Sequence, residues 1–88
     1  MTDKEKLVEL GYEDVVVFDN FSYDGALIGI THDNRAVYDF DLMVRYLIEV
    51  EEFEDEIEAI EWIEYNTLRS LPYAGNDAPI VVNMIRGV

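Results

Sequence analysis

The sequence predicts one small α+β domain over residues 1–88, in the order αβββααβ, with helices packed on one face of a mostly antiparallel four-stranded sheet. Three observations lead there. Short β-branched and apolar runs in the first half, "DVVVFD" and "ALIGIT", are separated by turn residues. From residue 40 onward the apolar period changes to that of helices. The chain of 88 residues is 50% apolar and 12% aromatic with two prolines, enough for a modest core that buries roughly 60–65% of the unfolded surface.

Thr2 is placed to cap a first helix over about Asp3 to Leu10, and Gly11 to stop it. Residues 14–19 read as the first strand. "NFSYDG" (20–25) turns into a second strand at 26–31, and "HDN" (32–34) into a third at 35–39. Asp39 stands where an N-cap belongs, and Met43, Tyr46, Leu47 and Val50 then line one face of a helix from Phe40 to about Glu51. A further helix runs from near Glu54 to Leu71 and stops before Pro72. Its core arc on a helical wheel is Ile57, Ile60, Ile63, Leu68 and Leu71. The loop at 72–79 leads to a last strand at 80–85.

Twenty acidic residues against six basic give a net charge of −14. Such a surface repels nucleic acid and anionic membranes and attracts basic partners. No direct nucleic-acid binding is expected, and no membrane association: the longest unbroken apolar runs are far below a membrane span. The start, "MTDKEKLVELG", has no apolar signal-peptide region, so a soluble cytoplasmic protein is expected.

The segment "EVEEFEDEIEAIEWIEY" (49–65) concentrates this charge, with nine carboxylates in seventeen positions and no Lys or Arg. Like charges at i,i+4 destabilise a helix, so the run carries a cost that a mixed-sign face avoids. If helical throughout, it holds one charge per roughly 2.7 Å. Duplex DNA carries one per about 1.7 Å of axis, and about 3.4 Å on each strand. A groove lined with Lys and Arg for phosphates could therefore accept this edge. Glu54, Glu58, Glu61 and Glu64 are the candidates to stand in for phosphates. Glu51, Glu52, Asp55 and Glu56 add to the field. Trp62 and Tyr65 fall on or beside the acidic face and are the candidate anchors.

Other chemistry finds little support. The absence of Cys removes disulfides and thiol catalysis, and the single His32 has no second soft ligand for a metal site. "DNFSYDG" (19–25) lacks the alternating oxygen ligands of a calcium loop. Ser22 and Ser70 have no base at readable spacing. Neither an enzyme nor a cofactor-binding protein is expected.

"VYDFDLMVRYL" followed by "AIEWIEYNTLRSLPYAGNDAPIVV" resembles short acidic proteins of phages, prophages and other bacterial mobile elements, over roughly residues 23 to 85. In size, charge and lack of Cys the chain also resembles the anti-CRISPR and antirestriction proteins that mimic DNA. That resemblance implies a stoichiometric inhibitor seated in the target-DNA or motif-reading site of a CRISPR effector nuclease in the bacterial host. The alternative is an acidic interaction module, such as an antitoxin, adaptor or assembly factor, whose basic partner keeps its access to DNA.

Overall fold

The computed structural model of the protein describes residues 2–18, 21–73 and 75–85. Helix α1 (Asp3–Glu9) opens as expected, with the Thr2 hydroxyl accepting from the Glu5 amide at 3.1 Å. Gly11, at φ +91°, ends it in the left-handed conformation that glycine adopts without steric penalty. The strand expected at 14–19 is absent among the described residues; Asp19 and Asn20 lie outside them. The segment is tied to α1 and the core: the Lys4 ammonium donates to the carbonyls of Glu13 and Val15, at 3.2 Å each. Val15 instead points into the core, and the Phe18 ring packs against Tyr23 and Tyr38.

Among the described residues the sheet has three strands, β1 (Leu27–Ile30), β2 (Ala36–Asp39) and β3 (Ile80–Val82), in that spatial order. β1 and β2 form an antiparallel hairpin around the turn at 32–34, where exposed His32 precedes Asn34 in a left-handed conformation. β3 pairs with β2 in parallel, Val37 opposite Ile80 and Asp39 opposite Val82. The sheet is thus mixed, not mostly antiparallel. The chain between β2 and β3 is a helical crossover, the connection that parallel neighbours require. β3 is also shorter than the run expected at 80–85. The element order becomes αββααβ.

Helix α2 (Phe40–Glu49) begins at Asp39, whose buried carboxylate accepts from the Asp41 amide at 3.0 Å. Met43 and Leu47 are fully buried and Tyr46 partly so. Val50, expected on the same face, is 59% exposed because the helix ends before it and the backbone turns away through left-handed Glu52. Helix α3 (Glu56–Trp62) starts later than expected, since Phe53 turns inward against Phe21 and Trp62 and Asp55 must recap the chain. It does not continue to Leu71 as an α-helix. One π turn (Ile63–Thr67) and a 3-10 segment (Leu68–Tyr73) take over, with Pro72 in the latter. At the head of the π turn the Trp62 carbonyl also accepts from the Asn66 side chain at 3.1 Å. The expected loop that follows contains Ala74, outside the described residues.

A second cluster of bonds locks α1 to the sheet. Asp3, 4% exposed, accepts from the amides of Gly25 at 2.8 Å and Leu27 at 3.3 Å, while Asp24 accepts from the Asp3 amide at 3.0 Å. Tyr23 holds an unusual left-handed backbone, and its buried hydroxyl shares a hydrogen bond of 3.0 Å with Thr67 of the π turn. No helix among the described residues is long and apolar enough to cross a membrane.

Candidate partner-binding face

The acidic segment is built from three local structures rather than one rod. The last turn of α2 carries Glu49; the reversal holds Glu51, Glu52, Glu54 and Asp55; α3 and the π turn present Glu56, Glu58, Glu61 and Glu64. All nine carboxylates are exposed, and none forms an ion pair among the described residues. The charges therefore wrap a corner at Glu52 instead of following the straight line a continuous helix would give. Two of them have internal duties. Asp55 accepts from the Glu58 amide at 2.9 Å as the α3 cap, and Glu51 accepts from the Tyr46 hydroxyl at 3.0 Å. The Ser22 hydrogen bond lowers the Tyr46 pKa, but partial burial and the Glu51 charge outweigh it, so this phenol holds its proton more tightly than usual.

Four of the six basic side chains make contacts of their own. Lys6 pairs with Asp3 at 3.8 Å, Lys4 binds the carbonyls of Glu13 and Val15, and the Arg35 Nε donates to the Ala78 carbonyl at 2.9 Å. Arg69 lies over the Tyr65 ring, 4.7 Å from its centroid. Arg45 lines a cleft with Glu56, yet no Lys or Arg among the described residues is ion-paired with any of the nine carboxylates.

The structure turns α3 relative to the expected wheel. Ala59 and Ile63 are fully buried and Thr67 nearly so, a line at i, i+4 and i+8 that defines the true core direction. The expected arc centred about 80° away, at 100° per residue. Ile60, Leu68 and Leu71 are consequently only partly buried, and Ile57 is 69% exposed. The signal that could have placed the face was Ala59, the small residue that lets α3 approach its neighbours closely.

This rotation separates the two aromatic candidates. Trp62 swings inward and stacks with Phe21, ring centroids 4.8 Å apart, and edge-on to Phe53 at 6.2 Å. It supports the strip from beneath. Tyr65, 70% exposed, remains on the surface beside Glu61 and Glu64 with one ring face under Arg69. Ile57 is the residue that sequence reasoning missed: assigned to the core, it stands in solvent among Glu56, Glu58 and Glu61. No family model, curated protein or solved structure matches the chain.

Proposed function

We propose that the protein is a phage-type inhibitor that seats its acidic face on the nucleic-acid-binding surface of a basic host defence protein, with a CRISPR effector nuclease as the leading class. One observation carries this reading: nine exposed carboxylates between residues 49 and 64, none of them ion-paired among the described residues. An ordinary solvated face would offset at least part of such a run with Lys or Arg, because each like-charge neighbour costs a few tenths of a kcal/mol. In this role Glu54, Glu58, Glu61 and Glu64 take the places of phosphates, and Tyr65 is the exposed aromatic contact. Trp62 holds α3 in position and is not itself the anchor.

The experiment is competition. The protein, immobilised, is expected to retain a basic nucleic-acid-binding protein from bacterial lysate and to lose it to duplex DNA. The purified pair should then weaken with salt, since the partner uses the same Lys and Arg for either ligand. Retention that is indifferent to duplex DNA defeats the inhibitor reading. It favours the second one, an adaptor or antitoxin on a basic partner, which the exposed aliphatic Ile57 supports because a phosphate backbone has no counterpart to it.

A further inference from the structure

A cleft of about 510 Å³ lies where the 3-10 segment meets β3. Leu68, Leu71 and Pro72 line it from the 3-10 segment, and Ile80 and Val81 from β3. Its one charged group is Arg35, the residue before β2, and no carboxylate lines it. That is unusual for a chain with twenty acidic residues against six basic. The connecting loop holds the cation in place, since the Ala78 carbonyl accepts from the Arg35 Nε at 2.9 Å. The terminal Nη groups then have no hydrogen bond or ion pair among the described residues. The same loop turns its own acid away: Asp77 lines a separate cleft with Asp14 and Asp33. Asp33 is already engaged, because its carboxylate accepts from the Thr31 hydroxyl. That bond is the main cause of its lowered pKa, and the Arg35 charge is the smallest.

We propose that this cleft binds a small organic acid, a carboxylate carried on an apolar body, with Arg35 as the carboxylate partner. The volume falls within the range of ligand sites, roughly 300–1,000 Å³, and so does the composition: mostly apolar walls with few polar groups to fix orientation. A guanidinium presents parallel N–H donors that match the two oxygens of a carboxylate. A neutral apolar ligand would cover the Nη groups without giving them an acceptor, and a covered donor without a partner is costly. The net charge of −14 selects against more highly charged anions. That field opposes a phosphate dianion more than a monoanion, and one guanidinium neutralises a single charge. The apolar body then gains by leaving water for the walls formed by Leu68, Leu71, Ile80 and Val81. No residue of the acidic segment at 49–65 lines this cleft, so the proposal is independent of the partner-binding face.

The test titrates the full chain with octanoate, octanol and acetate while amide resonances are followed. Octanoate is expected to saturate, with shifts at Arg35, Leu68, Leu71 and Ile80. It should bind at least about tenfold more tightly than octanol, which lacks the charge, and than acetate, which lacks the body. Arg35→Gln should bring octanoate down to the level of octanol and leave octanol binding unchanged. Because Arg35 also holds the Ala78 carbonyl, the thermal melt of that variant is recorded beside it. Leu71→Asn leaves that bond in place and should bring octanoate towards acetate. The comparison of the three probes on the wild type needs no variant and decides the matter if Arg35→Gln fails to fold. Octanol or acetate binding as tightly as octanoate overturns the proposal. So do the absence of saturable octanoate binding and shifts confined to other surfaces. None of these outcomes bears on the competition with duplex DNA.

Discussion

Asp3 and Glu61 carry the same charge and meet opposite surroundings. Asp3 is buried, takes two backbone amides and faces Lys6; Asp39, 1% exposed, caps α2. The nine carboxylates of 49–64 stand in water, and among the described residues only Glu51 and Asp55 of them make an internal side-chain hydrogen bond. One group of acids is consumed by the fold, because buried amides must find acceptors and a carboxylate is a strong one. The other adds repulsion to the folded state, and its negative field is available to a molecule outside.

The largest expected effect lies on the buried side. Asp3→Ala leaves the amides of Gly25 and Leu27 without their acceptor and should cost about 3 kcal/mol. In a domain of this size that lowers Tm by roughly 12–24 °C. Asp3→Asn, which retains one acceptor oxygen, should fall between. A melt unchanged by Asp3→Ala would erase the distinction between the two groups of acids.

Tyr38 reports on the same buried region. Its hydroxyl is buried with no partner at hydrogen-bonding geometry, although the Phe18 amide approaches it. Burial, with added repulsion from Asp3 and Asp24, pushes its pKa up from 10.0 to about 12. The unfolded phenol ionises near the ordinary value while the folded one stays protonated. Stability is therefore fully present below pH 10 and lost progressively as pH rises towards 12. The share of Tyr38 in that loss is on the order of 2 kcal/mol. Urea titrations across this window should show the fall in the wild type and a flatter profile in Tyr38→Phe. At neutral pH that variant should be no less stable, since the lost hydroxyl satisfied nothing. An alkaline profile identical in both proteins would assign the loss to Tyr23, whose pKa burial also raises.

Glu52 belongs to the exposed group and is the one that strains the backbone, at φ +61°. Glu52→Gly removes a left-handed cost of about 1–2 kcal/mol and adds unfolded-state entropy of roughly half that. A net gain of about 0.5–1 kcal/mol is expected in chemical denaturation. A loss instead would mean that the Glu52 side chain bonds within the fold.

How much of this the sequence reveals depends on whether the cause is local. The caps Thr2 and Asp39 and the stop at Gly11 are legible because each depends on one residue and its immediate neighbours. The β1–β2 hairpin is legible for the same reason. The missing strand at 14–19 is not, because the segment is held by contacts distant in sequence, from Lys4 to the Val15 carbonyl and from Phe18 to Tyr38. The break at Phe53 and the π turn follow from packing against Phe21 and Tyr23, far away in sequence. The acidic face survives these changes, since every predicted carboxylate is exposed. Its aromatic contacts divide: Tyr65 is exposed, Trp62 is half-buried against Phe21 and Phe53, and Ile57, which a regular wheel put inside, is exposed.

The smallest expected stability effect is also the most informative about the exposed group. Glu61 has like charges at i−3 and i+3, Glu58 and Glu64, and lies beyond the first turn of α3. Glu61→Gln removes repulsion only and should raise stability by a few tenths of a kcal/mol. Glu58 lies within the first turn, where the helix dipole favours a negative charge by about 0.3–1 kcal/mol at low salt. Glu58→Gln should therefore change stability little or lower it slightly, and the double variant should be close to neutral. The two effects should converge as salt is added, because both are exposed and screened within about 10 Å at 0.1 M. Against a basic partner the outcome is different: both substitutions remove a charge from the same field, so both should slow association and flatten the salt dependence alike. Matched denaturation and association measurements at two salt concentrations separate the roles. If partner binding follows stability, with Glu58→Gln harmful and Glu61→Gln beneficial, these carboxylates serve the helix. If binding falls equally for both, they serve the partner.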